Sequence, residues 1–491
     1  MIGAGAPTSV DVSLFSKPRT RPKLTAMTDL SQRLSALLPA AALREVTPAY
    51  LEEPRGRWHG RAAAVVAPAT TEEVAMILRL CAETATPVIP YGGGTGLVGG
   101  QLAETGPAPL ILSLERMKAV RAFDAEAGTM TVEAGAILSD IHTTAEAQDW
   151  IFPLTLASQG SARLGGLLAT NAGGVNVIRY GNARDLVLGI EAVLADGTVV
   201  NALSPLRKNN TGYDIRHLLI GSEGTLGVIT AASLRLFPKP AATGAAMMVV
   251  PSPEAALALL RLAQSRIGAA ISAFELMSRE GFDFLAAVGP EVRQPFAEPP
   301  GWAVLIDVGM GAGGDPSGAL EELFAEAFDA GLVSDGVIAQ SEAQRAEFWA
   351  LRENIPEANR RIGAVASHDI SVPVAAIPRF IAEAPGRIGA IAAFRLNCFG
   401  HMGDGNLHYN VFPMPGKSRA DHENQRDAIK RAVHDLVYEL GGSVSAEHGV
   451  GRLKIEDLER YGDPGKLAAM RAIKAALDPK GILNPGAVLR A

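Results

Sequence analysis

The chain has 491 residues, with 45 basic against 52 acidic side chains and a net charge of −7. That length allows roughly two to four domains, and the mild negative balance without any block of like charge excludes a nucleic-acid surface or a charged tail. Its two cysteines, Cys81 and Cys398, lie in apolar runs and cannot form a disulfide framework, which points to the cytoplasm; no apolar stretch approaches the roughly 20 residues that span a bilayer.

Residues 1–26 are rich in turn formers and lack a signal-peptide core, so they read as a disordered leader before a helical pattern that opens at Met27. TTEEVAMILRLCAET (70–84) has apolar residues at helical spacing, and TPVIPY after it reads as a buried strand ending at glycines. LILSL and GTMTVEAGA are strands leading into the helix LSDIHTTAEAQ. A hairpin is expected at Asp196-Gly197, then a strand in GVITAASLRLFP. PKPAATGAA (238–246) is the linker candidate. Beyond it, strand and helix patterns alternate as in a ferredoxin-like domain, and two final helices flank SVSAEHGVGR. The fold class is therefore α+β, divided into 27–240 and 241–491.

YGGGTGLVGG (91–100) contains Gly94-x-Gly96-x-x-Gly99, the spacing of a dinucleotide fingerprint. That motif must open a helix, whereas here QLAETGPAPL follows, with two prolines. Bare amides after a strand still make an anion-binding nest. PLTLASQGSARLGGLLATNAGGVNVIRYG (153–181) and LLIGSEGTLGVIT (218–230) add two more glycine-rich segments to the same half. Three such segments suggest a long polyphosphate-bearing ligand lying between backbone walls.

NCFGHMGDGNLHYNVF (397–412) carries two histidines about an Asp-Gly turn. A two-residue turn there pairs His401 with His408 on one face, within reach of one metal ion. Glu447 and His448 follow in AEHG. His401, His408 and Glu447 would form a two-histidine, one-carboxylate metal set, leaving His448 for proton transfer. Asp404 is either a fourth ligand or a cap on local amides. Arg352, on the helical stretch FWALRENIPEANRR, suits a substrate carboxylate, or is one solvated charge among several.

PYGGGTGLVGG, ATNAGG, YGNARDLVLGIEAVLADG and GSEGTLGVIT resemble the FAD-binding domain of the vanillyl-alcohol oxidase and p-cresol methylhydroxylase (PCMH) superfamily. GHMGDGNLHYN and EHGVGRLK resemble its D-2-hydroxyacid branch of D-lactate, glycolate and D-2-hydroxyglutarate dehydrogenases. The likeness runs from about residue 60 to LDPKGILNPG. It implies a two-subdomain PCMH-type FAD domain, a substrate (cap) domain and a C-terminal helical segment. It places the pyrophosphate against Gly92, Gly93, Gly94, Thr95 and Gly96, with Ser158, Gly165, Asn171, Gly174, Glu223, Gly227, Ile229 and Asn484 around the rest of FAD. Covalent members attach the flavin through a histidine in the first glycine loop; Tyr91 and glycines stand there in this chain, which implies noncovalent FAD. The resemblance further implies zinc on His401, His408 and Glu447, His448 as base, and substrate contacts from Arg352 and Asn410.

The chain departs from the 2-hydroxyglutarate enzymes at two positions: Ser367 stands where they carry a lysine, and Pro356 where they carry a threonine. The reaction implied is oxidation of a D-2-hydroxy acid to the 2-oxo acid, with hydride passing to the flavin. The partners are then the acid and an electron acceptor, whether quinone, electron-transfer flavoprotein or cytochrome; no nucleic acid is expected, and a homodimer is left open. The alternatives are a flavin oxidase of another alcohol and a flavoprotein subunit of a glycolate-oxidase-like complex.

Overall fold

The computed structural model describes residues 30–56 and 58–490; the expected leader, 1–26, lies outside them. The first lobe holds two main sheets. β1 (Leu43–Arg44), β2 (Ala64–Val66), β3 (Val88–Tyr91) and β4 (Leu110–Ser113) form one, in the order β1-β2-β4-β3, with β2 and β3 parallel to β4. The helix Thr71–Thr84 makes the crossover from β2 to β3. Thr70 caps it by accepting the Glu73 N–H, and its apolar stripe of Val74, Ile77, Leu78 and Cys81 is buried. β5 (Val120–Asp124), β6 (Thr129–Glu133), β8 (Val187–Val193), β9 (Val199–Ala202) and β10 (Val228–Arg235) make an antiparallel sheet ordered β5-β6-β10-β8-β9, while β7 (Trp150–Ile151) pairs with β11 (Phe237–Pro238). The hairpin at Asp196-Gly197 forms between β8 and β9, closed by the Leu194 N–H on the Thr198 carbonyl.

The expected linker is mostly strand. Only 239–241 separate β11 from β12 (Ala242–Val250), whose residues from Ala242 onward pair with β14 (Trp302–Met310). Small residues serve close packing there: a Cβ on Gly244 would lie 2.9 Å from Pro316. With β13 (Ile271–Ser278), β15 (Asp335–Ile338), β16 (Ala366–Ser371), β17 (Arg395–His401) and β18 (Asn406–Phe412), these strands form one antiparallel sheet, β15-β12-β14-β13-β17-β18-β16. Its first four strands and the helices Pro253–Arg266 and Pro316–Asp329 have the ferredoxin-like order, which β17, β18 and β16 extend. Four helices pack on one face of this sheet; Arg279–Val288 and Glu342–Ile362 pack on the other.

The β17–β18 register differs from the expected pairing. His408 lies opposite Phe399, not His401, and residues 402–405 form a four-residue loop whose Asp404 and Gly405 N–H groups donate to the His401 carbonyl. The neighbouring strands fix this register: Glu275 pairs with His401 on one side and Asp369 with His408 on the other. A slip of two residues preserves the side-chain face, so the histidines still meet, with ring centroids 5.4 Å apart.

The C-terminal stretch returns to the first lobe, although the sequence division assigned it to 241–491. Ile482 and Leu483 join the first lobe's core, Leu483 bridges to Val88, and the Asn484 N–H donates to the Val88 carbonyl. Asp478 accepts the Ile482 and Leu483 N–H groups, and Lys474 reaches the carbonyls of Thr225 and Leu483. No described helix is long and apolar enough to cross a membrane.

Candidate functional site

A cavity of about 610 Å³ opens between the glycine-rich segments. Gly92, Gly93, Gly94, Thr95, Gly96, Ser158, Gly165, Glu223, Gly227, Ile229 and Asn484 all line it, as the sequence reading expects; Asn171 and Gly174 do not. Asn171 holds a left-handed backbone turn and accepts the Arg184 N–H, and a Cβ on Gly174 would sit 2.1 Å from the Thr155 carbonyl oxygen. Those two residues shape the wall from behind. The near wall is backbone on backbone: a Cβ on Gly93 would lie 2.1 Å from the Ser161 carbonyl oxygen. None of the N–H groups from Gly92 to Gly96 has a protein acceptor among the described residues. Orphan amides lining a long cleft fit a phosphate-bearing cofactor such as FAD. No helix follows the loop, in keeping with the rejection of a dinucleotide fingerprint.

Glu447 and His448 line the same cavity from the second lobe. One ligand atom each from His401, His408 and Glu447 lies within 4.8 Å of the others, and His401 Nε2 is 3.4 Å from Glu447 Oε1. Two imidazoles and a carboxylate at this spacing fit a divalent ion with an open position. Burial pushes His408 down to about 4, so its ring is neutral and able to ligate. Burial opposes protonation of His401 as well, but the Glu275 and Glu447 carboxylates prevail and raise its pKa. Asp404 is not among the three donors: its Oδ1 accepts the Asn406 N–H at 3.1 Å, the local capping role, and burial raises its pKa to about 7.

Two carboxylates that sequence reasoning left without a role complete the site. Glu275 has no exposed surface; its Oε1 accepts from His401 Nδ1 at 2.7 Å, and its Oε2 lies 2.8 Å from both Nε and Nη2 of Arg352. Burial alone would raise its pKa, yet the His401 and Arg352 charges hold it at about 2. An ionised acid behind the outer nitrogen of a ligand histidine fixes the ring's orientation. The signal was a lone acid within the otherwise apolar strand ISAFELM. Asp369 lies on β16, in the stretch Asp369-Ile-Ser-Val-Pro373. Its Oδ2 accepts the N–H groups of Glu447 and His448, each at 3.0 Å, and lies 3.4 Å from His448 Nδ1. A carboxylate only accepts, so its closeness to Nδ1 favours the tautomer with the hydrogen there, which leaves Nε2 for a base's role. Burial lowers the His448 pKa in spite of that neighbour, keeping the ring neutral near pH 7.

Arg352 is 5% exposed, stacks over Phe399 at 4.7 Å and is held by Glu275, so it is no solvated helix charge. Asn410 lies on the His408 face of β18, and its amide donates to the His408 carbonyl. Ser367 pairs across from Asn410, and Pro356 lies within the helix that carries Arg352.

Residues 62–203 match a family described as "FAD binding domain", and residues 239–488 match "FAD linked oxidases, C-terminal domain". The chain is 40% identical to the mitochondrial D-2-hydroxyglutarate dehydrogenase of Bos taurus, covering 92% of this chain and 82% of that protein. It is 38% identical to the D-2-hydroxyglutarate dehydrogenase of Xanthomonas citri pv. viticola, covering 88% and 90%. The solved structure of p-cresol methylhydroxylase with substrate bound superposes with a TM-score of 0.72 at 18% identity, covering 94% of this chain and 96% of that one, a likeness of fold.

Proposed function

The chain belongs to the family of FAD-linked oxidases, and from that membership we propose that it is an FAD-dependent dehydrogenase converting a D-2-hydroxy acid to the 2-oxo acid. The observation that carries the reading is the meeting of two unlike surfaces in one cavity: a glycine wall with orphan amides, and the Glu447-His448 pair beside His401 and His408. FAD, when bound, supplies the acceptor for the hydride that leaves the substrate's C2. A divalent metal, which we assign as zinc, supplies Lewis acidity that lowers the pKa of the substrate hydroxyl.

The protein's own groups do the rest. His448, neutral and oriented by Asp369, takes the hydroxyl proton at Nε2. Arg352 spends two of its nitrogens on Glu275 and offers the remainder of its fork to the substrate carboxylate. Asn410 steadies the backbone at His408 and stands beside the substrate. D-2-Hydroxyglutarate is the first acid to test, because the relatives named above carry that activity in their names. Ser367 and Pro356 bring no cation for a distal carboxylate, which favours comparison with D-lactate. The electron acceptor would be a quinone, an electron-transfer flavoprotein or a cytochrome.

The test is anaerobic reduction of the bound flavin, followed as loss of its visible absorbance. D- and L-lactate, glycolate, D-malate and D-2-hydroxyglutarate are compared before and after chelator treatment. Rapid bleaching by a D-acid, lost with chelator and restored by zinc, is the expected result. Bleaching that survives removal of all metal sinks the metal role, and bleaching by none of these acids sinks the substrate class.

A further inference from the structure

The loop 444–451 carries Glu447 and His448 without helix or strand structure of its own. It is held by carboxylates from both lobes. Asp369, on the cap sheet, takes the amides of Glu447 and His448. Glu223, from the cofactor lobe, takes the Val450 N–H on Oε1 at 2.7 Å and the Gly451 N–H on Oε2 at 2.8 Å. The backbone of Glu223 is itself fixed at φ 50, and Asn484 Nδ2 donates to the Glu223 and Gly100 carbonyls. Glu223 thus lines the cavity while its carboxylate binds the loop.

The resemblance made Glu223 a cofactor contact. We infer instead that Glu223 is a positioning residue, which ties the loop bearing Glu447 and His448 to the cofactor lobe and so sets the ligand and the base against the flavin site. Two acceptors at fixed spacing match two successive N–H groups. A glutamine offers one acceptor and turns N–H donors toward the second amide. Without the Glu223 clasp the loop keeps its Asp369 end and, beyond Gly451, the Arg452 and Leu453 N–H bonds to the Val98 carbonyl. The stretch between them, which carries Glu447 and His448, gains slack, and a shift near 1 Å is enough to slow a reaction about 10²-fold. The inference rests on the proposed function for its chemistry, but the tie itself can be read without substrate.

Glu223→Gln and Glu223→Asp are compared with the wild-type holoprotein by hydrogen exchange, FAD content per chain and Mn²⁺ titration. The expected result for Glu223→Gln is exchange at least tenfold faster confined to the peptide 444–452, with FAD content unchanged. Mn²⁺ affinity and the rate of flavin reduction each fall at least tenfold, and Glu223→Asp recovers part of the loss. Loss of FAD with unchanged loop exchange would overturn the inference and make Glu223 a cofactor ligand. Faster exchange throughout the chain would reduce it to a general structural role. A wild-type flavin that no D-acid bleaches would sink the proposed reaction, while exchange in the loop would still decide the tie.

Discussion

The two sides of the cavity are built on opposite plans. On the cofactor side the contacts that decide the shape are backbone, made by glycines that let chain approach chain, with apolar and small polar side chains filling in between. The cap side is side chain: three ligand groups and a base, with His401 backed by the buried Glu275 and His448 set against the buried Asp369. Bulk is the perturbation that the first side cannot absorb. The second cannot absorb the loss of a charge or a hydrogen bond.

The largest expected effect comes from removing the base. His448→Ala should keep FAD bound yet slow flavin reduction by about 10²–10⁴-fold, the usual span for a positioned general base. Single-turnover rates near the wild-type value would dismiss the role. Next is Glu275→Ala, which leaves Arg352 as an uncompensated buried cation and should destabilise the protein by about 3–5 kcal/mol in urea unfolding. Because His401 loses its orienting partner, metal affinity should also fall about 10–100-fold. An unchanged unfolding midpoint would place the stabilisation elsewhere.

On the opposite wall, Gly93→Ala adds one methyl group against the Ser161 carbonyl, an overpacking worth about 1–3 kcal/mol, and should lower FAD content with metal affinity intact. Loss of metal together with FAD would mean that the two plans are not separable. The smallest effect is one of pH. His368 is buried against His434, with Nδ1 at 3.3 Å from its Nε2, and burial holds its pKa well below 6.5. The unfolded chain takes up this proton below about pH 6.5 and the folded chain does not, so stability falls as pH falls, by at most about 1.4 kcal/mol per pH unit. Urea midpoints measured from pH 7.5 to 5 should show that decline in wild type and a shallower one in His368→Leu.

What could be read from the sequence follows the same division. Glycine spacing marks the cofactor wall because close backbone approach leaves a compositional trace, and the residue types of His401, His408 and Glu447, with the Asp-Gly turn between the histidines, point to the cluster in which they meet. Their hairpin register was not legible, because β13 and β16, distant in sequence, overrule the Asp-Gly turn. Glu275 and Asp369 went unassigned for a related reason: a supporting carboxylate has no motif of its own, and its partners lie 126 and 79 residues away. The linker failed because alanine and glycine mean flexibility in a loop and tight packing in a covered strand.

The return of residues 482–484 to the first sheet bears on how that lobe closes. Val88 finds its partner Leu483 about four hundred residues downstream, after the cap sheet has been laid out, and Lys474 fastens the segment carrying Thr225 to the same place. The first lobe thus cannot close on its own stretch of sequence. A chain lacking residues 474–484 would leave Val88 and Thr225 without these partners, so the cofactor wall depends on a segment that lies beyond the whole cap sheet in sequence.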